Sequence, residues 1–425
     1  MNHILQVQFM SDRLLPLLLI SALLLVIDWY ILKALLSSKI RFIAKRKKNF
    51  SIWYWTYSIL LILGIFIGIY FNIRLTARAV ILVAFFLSFA AKIVFLPFLF
   101  IDDIRRGIIW LGHKKNNEKG LQETVIAHEN KIPRSEFLVK AGLIAAAVPL
   151  ASLSWGIASA YDYRIIRKKL YLKNLPKAFH GLKLAQFSDI HSGSFYNRKA
   201  VLGGVEMMLA EKPDVIFFTG DLVNNQASEM KDYQDIFAKV KAPLGVFSIL
   251  GNHDYGDYFY GKEPSVAKSK NLESVKKIHG LMGWDLLLDE HRKLKVDNEE
   301  IGILGCQNWG AGRFIQKGNL EKTLLGTEDL PVKLLMSHDP SHWRAQVLNH
   351  SDIDVTFSGH THGMQFGVRT KEFQWSPVQY IYKEWAGLYQ EKEQQLYVNV
   401  GYGFLGYPGR VGILPEITIF ELQKT

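Results

Sequence analysis

Three runs of apolar residues, 14–36, 52–71 and 79–101, fall within the first quarter of a 425-residue chain. Each has about 20 residues, the length of a helix that crosses a hydrocarbon core. In lipid a backbone must satisfy its own N–H and C=O groups, so runs like these can only be helices there. Buried core helices are the alternative, but three of this length so close together are too many for that. Asp28 and Lys33 interrupt the first run and Lys92 the third. Trp53, Tyr54, Trp55 and Tyr57 open the second, as an interfacial aromatic belt does. A weaker Ala-rich run, 137–160, contains Lys140, Pro149 and Gly156 and reads as a fourth span or a helix lying on the membrane. The first run is too long for a cleaved signal, and no small-residue cleavage site follows it. Residues 133–140 resemble a twin-arginine export signal but carry only Arg134 of the arginine pair.

The net charge of +12 is unevenly spread. Residues 1–182 carry 25 Lys and Arg against 9 Asp and Glu, a balance of +16; residues 183–425 carry 26 against 30, a balance of −4. A basic excess confined to the hydrophobic part reads as membrane topology, not nucleic-acid binding. The mildly acidic remainder argues against a phosphate-backbone binder. Cations crowd the loops after runs one and three, including Lys45, Arg46, Lys47 and Lys48 in the first and Arg105, Arg106, Lys114, Lys115, Lys119 and Lys131 in the third. Only Arg74 and Arg78 lie between runs two and three. With four spans, the cytoplasmic preference of such loops leaves everything after residue 160 outside the cytoplasm. Arg164, Arg167, Lys168, Lys169, Lys173 and Lys177 oppose that placement, but long domains translocate largely regardless of charge. The expected organisation is a transmembrane region 1–160, a basic juxtamembrane linker 161–182 that can lie against anionic headgroups, and a domain over 183–425.

From residue 182 the pattern changes to short apolar runs between turn residues. Strands are expected at 182–187, 214–219, 245–250, 332–336, 353–357, 396–400 and 416–420, with a hairpin over 294–306 around Asp297 and Asn298. Helices are expected at 201–210 and 230–240, and a polar surface excursion at 258–272. This alternation predicts mixed sheets with helices outside.

Five fragments begin where an expected strand ends, the usual place for functional loops in α/β domains. They are Asp189-Ile-His191, Gly220-Asp221, Gly251-Asn-His-Asp254, Ser337-His338 and Gly359-His-Thr-His-Gly363. In extended chain Asp189 and His191 point the same way and can share one ion. Gly220 lets the backbone turn so that Asp221 reaches inward. Asn252 offers an amide oxygen, and His338, His360 and His362 add imidazoles. Mixed O and N donors without sulfur suit manganese, iron or zinc better than calcium or magnesium alone. The single cysteine, Cys306, excludes an intramolecular disulfide and a cysteine-based zinc finger.

Taken in this order, the five fragments resemble the calcineurin-like metallophosphoesterase family over residues 183 to about 420. The Gly-His-Thr-His-Gly form, together with the tail from Gly401 to Arg410 and Pro415-Glu416, is similar to its membrane-associated bacterial branch, which includes hydrolases of lipid A precursors. The resemblance implies an αββα sandwich, two mixed β-sheets flanked by helices, preceded here by a bundle of transmembrane helices. It implies two divalent metal ions, manganese first, with iron or zinc as alternatives. Asp189, His191, Asp221 and His362 would hold the first ion; Asp221, Asn252, His338 and His360 the second, with Asp221 bridging. His253 would stabilise the transition state or protonate the leaving oxygen, and Asn224 and Asp254 would stand behind these ligands or near substrate. Two such ions activate a shared water and clamp the phosphoryl oxygens for in-line attack.

In the protein-phosphatase branch an Asp three residues past the bridging Asp supports the catalytic His. Here Asn224 stands there, Asn225 replaces the following Arg, and Asp254 rather than Glu follows His253. A protein Ser/Thr phosphatase is therefore not expected. The expected function is a membrane-anchored phosphoesterase acting on a lipid-linked or cell-envelope phosphoester, with its catalytic domain outside the cytoplasm. The alternatives are a pyrophosphatase acting on a nucleotide-linked lipid A precursor and a non-catalytic signalling or scaffold protein. His342, His350, Trp309 and Trp343 match no ligand position and are expected to pack or hydrogen-bond. Lys92 is expected to snorkel and Asp28 to pair with a neighbouring helix.

Overall fold

The computed structural model describes residues 2–71, 75–118, 132–312 and 314–425, which form two compact units, Met1–Ser154 and Trp155–Thr425. Of the loop cations that set the expected orientation, Arg74, Lys119 and Lys131 lie outside the described residues.

The first unit is helical: α1 (Asn2–Ser37), α2 (Lys47–Tyr70), α3 (Leu75–Glu118) and most of α4 (Glu136–Ala158). Each contains a stretch long and apolar enough to cross a membrane: Leu14–Ser37, Lys47–Tyr70, Val80–Gly112 and Glu136–Ala158. Ile31, Leu35, Phe95, Leu99 and Val139 pack at the centre of this bundle. Lys92 does not snorkel. It pairs with the buried Asp28 at 2.6 Å, and the Tyr54 hydroxyl donates to the same carboxylate at 2.8 Å. A charge in an apolar bundle is held most cheaply by an opposite charge beside it. Arg134 of the export-like fragment is likewise committed, 3.1 Å from Asp103.

The second unit is a sandwich of two six-stranded mixed sheets with helices outside, as the fragment order implied. Its strands are β1 (Arg164–Leu172), β2 (Lys183–Phe187), β3 (Val215–Phe218), β4 (Val246–Ser248), β5 (Asp285–Leu286), β6 (Glu290–Val296), β7 (Glu299–Gly305), β8 (Lys333–Met336), β9 (Val355–Ser358), β10 (Gly387–Glu391), β11 (Gln394–Val398) and β12 (Glu416–Lys424). One sheet has the order β1-β12-β2-β3-β4-β5 and the other β10-β11-β9-β8-β7-β6. The runs β2-β3-β4 and β7-β8-β9 are parallel. Parallel strands covered on both faces read as continuous apolar runs, and β3, Val-Ile-Phe-Phe, is buried at every position. Between the sheets Phe217, Phe247, Ile303, Leu334, Phe357 and Phe420 form one core.

Three stretches differ from expectation. Residues 161–182 are no mere linker. They hold β1, which pairs in parallel with β12 from Arg164↔Glu416 to Leu172↔Lys424. Four cations in its nine residues mask the strand pattern. The helix expected at 230–240 is a 3-10 turn, Ala227–Asp232, followed by a short helix, Gln234–Phe237, broken at Tyr233 with φ −131°. The polar excursion at 258–272 runs into a 17-residue helix, Val266–Met282, started by Ser265, whose side chain accepts from the Lys268 N–H.

Candidate metal centre

All five fragments leave the carboxyl ends of parallel strands: β2, β3 and β4 in one sheet, β8 and β9 in the other. The turns are tight. Asp189, His191, Asp221, His360 and His362 all adopt left-handed backbone, with φ between 47° and 73°. Asp189 and His191 are therefore not in extended chain, as the sequence reading supposed. Non-glycine residues occupy this region at a cost, and such cost gathers at functional sites. Two glycines make room: a Cβ on Gly359 would collide with the Ser188 hydroxyl and the Asp189 carboxylate, and one on Gly251 with the Asp221 carboxylate.

The turns bring two buried groups together. Asp189, His191 and His362 form one; Asp221, His338 and His360 the other; within each, the donor atoms lie within 4.8 Å of one another. Asp221 faces both groups: its Oδ2 is 3.4 Å from His191 Nε2 and 3.2 Å from His338 Nε2. In the first group His191 Nε2 and His362 Nε2 stand 3.0 Å apart, and His362 Nε2 is 3.2 Å from Asp189 Oδ1. In the second, His360 Nδ1 is 2.8 Å from Asn252 Oδ1. All seven side chains expected as ligands thus converge.

Hydrogen bonds set the imidazole tautomers. His338 Nδ1–H donates to the Thr219 carbonyl at 2.7 Å, which turns Nε2 to Asp221. His360 Nε2 lies 2.8 Å from the Tyr382 hydroxyl and 3.4 Å from Asp339 Oδ2. Asp339 favours a proton on that nitrogen, so Nδ1 presents a lone pair to a second acceptor, Asn252 Oδ1. With the proton on Nε2, the Nδ1 lone pair and the Asn252 Oδ1 would both be free to face a cation. The buried His191 Nδ1 has no hydrogen-bond partner among the described residues, and His338 Nε2 faces only the Asp221 carboxylate, at 3.2 Å. This donor set fits divalent metal ions.

The electrostatics agree. Burial alone would raise Asp189 and Asp221, but the surrounding histidines hold both carboxyls below their ordinary range. Burial keeps His191 well below its usual value, and therefore neutral, as a ligand must be. Burial would lower His338 too, but Asp221 outweighs it and raises the imidazole to about 10. Within the protein alone, then, the His338 proton partly balances the carboxylates. A metal ion bound between the two groups would take over that role.

His253 belongs to neither group. Its N–H donates to Asp221 Oδ1 at 2.8 Å, its ring lies 4.5 Å from Tyr258 in a stacked pair, and its Nδ1–H donates to the Asn224 backbone carbonyl at 2.7 Å. The Asn224 side chain points elsewhere, to Ser194, so the Asp-to-Asn departure at this position does not touch the imidazole. Glu229 holds the 224–226 turn by accepting three backbone N–H groups. Asp254 is scaffold: it accepts N–H groups from Asp221, Leu222, Val223 and Gly251, tying two of the loops. Burial, then the Asp221 charge, raise its carboxyl to about 7.

Sequence reasoning missed Asp339, Tyr382, Tyr258 and Glu229, and gave Arg410 no role. Arg410 is fully buried and donates to the carbonyls of Val400 and Gly403, with Nη2 3.2 Å from His362 Nδ1. Asp339 had one local signal, its place beside His338; nothing in the sequence couples 382 to 360. His342 bonds Ser337 and Gln346 and stacks on Trp309, Trp343 is fully buried, and neither histidine 342 nor 350 joins a donor group.

Residues 12–160 match the family described as "Probable Calcineurin-like phosphoesterase, transmembrane domain", and residues 182–364 match "Calcineurin-like phosphoesterase". A zebrafish "Transmembrane protein with metallophosphoesterase domain" is 27% identical over 277 residues, 63% of this chain and 59% of that protein. The chain thus spans about three-fifths of that relative's length. The "Uncharacterized metallophosphoesterase YkuE" of Bacillus subtilis is 28% identical over 69% of this chain and 99% of its own length. The "UDP-2,3-diacylglucosamine pyrophosphatase LpxG" of Chlamydia trachomatis is 25% identical over 59% and 88%. With its apolar helices, its sandwich and its two converging donor groups, the chain belongs to the calcineurin-like phosphoesterases that carry a transmembrane domain.

Proposed function

We propose that this chain hydrolyses a phosphoester on a lipid-linked or cell-envelope substrate, using two divalent metal ions. The observation that carries the reading is the Asp221 carboxylate facing both donor groups. Asp189, His191, Asp221 and His362 hold one ion; Asp221, Asn252, His338 and His360 hold the other. When bound, such a pair supplies the acidity that activates a water and the positive charge that offsets the phosphoryl oxygens. The protein's own part is orientation. Asp339 and Tyr382 fix the His360 ring, Thr219 fixes His338, and Asp254 holds the Asp221 and Gly251 loops in register. With Nδ1–H committed to Asn224, His253 in its imidazolium form would present Nε2–H to stabilise charge on a phosphoryl oxygen or to protonate the leaving oxygen. The four apolar helices keep the enzyme where a membrane-embedded substrate is found.

A diphosphate is the second reading, supported by the relative named as a UDP-2,3-diacylglucosamine pyrophosphatase. A nucleotide-linked substrate requires a cytoplasmic domain, whereas the loop cations favour an extracytoplasmic one. Accessibility of a thiol introduced at exposed Leu325 to an impermeant reagent in intact cells decides between them. The activity itself is tested with full-length protein in detergent, supplied with manganese, iron or zinc and a generic phosphodiester or phosphomonoester. Metal-dependent turnover that Asn252→Ala and His253→Ala each abolish supports the proposal; no turnover from folded, metal-loaded protein on soluble or lipid phosphoesters refutes it.

A further inference from the structure

Large exposed apolar residues are not spread evenly over the second unit. Among the described residues there are fifteen, and seven of them lie between Met364 and Leu388. Isolated exposed apolar side chains are ordinary, but a cluster marks a surface that meets something. Phe373, Tyr380 and Ile381 are the most exposed of the seven, at 59%, 78% and 68%. Phe373 sits at the turn of a small hairpin in which Val368 pairs with Trp375. Phe366 lies 6.4 Å from Trp375, ring to ring, which joins the start of the segment to the hairpin.

Cations rim it. Arg164 and Lys168 of β1, Arg369, Lys371, Phe373 and Leu388 line one groove. Lys168, Lys169, Lys371 and Lys383 are exposed and have no ion pair among the described residues, while Glu372 shares the hairpin turn. Apolar and aromatic side chains ringed by lysine are the chemistry of an anionic lipid interface. Chain length supplies the occupant. Five residues, 159–163, separate the end of α4 from β1, and they reach at most about 20 Å. A strand that lines the groove is therefore tethered close to the end of an apolar helix.

We propose that the 364–388 segment inserts its apolar side chains into an anionic bilayer surface and so seats the metal centre at the headgroup layer. The segment begins two residues after His362 and contains Tyr382, the partner of His360, so what it rests on governs the mouth of the site. The insertion stands by itself; its consequence, a phosphoester taken directly from the headgroup layer, rests on the proposed function.

The test uses full-length protein reconstituted in vesicles of phosphatidylcholine with about one-third phosphatidylglycerol. Cys306 is buried, so an environment-sensitive thiol dye reports on an introduced residue, Phe373→Cys, with Leu325→Cys as the exposed control. The expected result is blue-shifted emission and quenching by lipid-borne nitroxide at 373 and neither at 325. Lys371→Glu beside Phe373→Cys, or neutral vesicles, should cut the quenching several-fold. A label at 373 that stays as aqueous as the one at 325 overturns the proposal, and quenching indifferent to lipid charge overturns its electrostatic half. Neither readout needs turnover, so a failure here is distinct from a failure of the proposed activity.

Discussion

The backbone N–H of His360 donates to both carboxylate oxygens of Asp189, at 3.0 Å each, across 171 residues of sequence. One member of the first donor group is thereby fixed by the loop that carries a member of the second. A carboxylate accepting backbone N–H bonds remains ionised and stays where it is placed. Asp189→Asn keeps the size but loses the charge. We expect it to lower metal affinity by more than the roughly 10–100-fold that loss of an outer-shell partner costs, without unfolding the chain. Isothermal titration with manganese measures this; unchanged affinity would show that Asp189 is not a ligand.

His253 belongs to neither donor group, and its bond to Asp221 comes from the backbone N–H, which a substitution keeps, so His253→Gln should leave bound metal unchanged and lower kcat by about 10²–10⁴, the usual worth of a general acid. Metal analysis beside steady-state kinetics separates the two effects. Asn224→Ala should do much less, because the backbone carbonyl of that residue, and not its amide, holds the imidazole. An Asn224→Ala loss as large as that of His253→Gln would contradict this assignment.

The five ligand fragments were legible because each is local: a strand end, a turn and one or two donors within a few residues. Their partners were not. Asp339 and Tyr382 reach His360 through the folding of a long segment after β9, and Glu229 acts on a turn that sequence periodicity treats as loop. The sandwich followed from the order of the fragments, whereas β1 was hidden by the charge of Arg164, Arg167, Lys168 and Lys169, whose side chains need no burial on an edge strand. The left-handed turns at Asp189 and His191 were also hidden, since neither residue is a glycine.

Tyr382→Phe and Asp339→Asn test the shell behind the ligands. Both should weaken the second ion more than the first, Asp339→Asn by roughly 10–100-fold and Tyr382→Phe by less, because Asp339 also carries the charge. Two-step binding in a metal titration resolves the sites. Equal weakening of both steps would mean that Asp339 and Tyr382 do not act through His360.

His279 offers a pH test away from the site. It is fully buried beside Phe218 and Trp284, with Nδ1 2.9 Å from the Ser248 hydroxyl, and burial lowers it to about 3. Its folded value lies below the unfolded one, near 6.5, so the unfolded chain takes up the proton first. Stability is then full above about pH 6.5 and is lost on acidification at up to about 1.4 kcal/mol per pH unit. Thermal melts of the full chain between pH 7 and 5 should show a falling Tm, and His279→Phe should flatten that slope. An unchanged slope would exclude His279 as its source.

The most direct measurement removes all metal from the full-length protein, adds manganese stepwise, and follows bound ions and hydrolysis of a generic phosphodiester together. The account predicts two ions per chain, with turnover rising as the second binds and Asp221→Asn binding neither tightly. Saturation at one ion, or turnover independent of added metal, would contradict it.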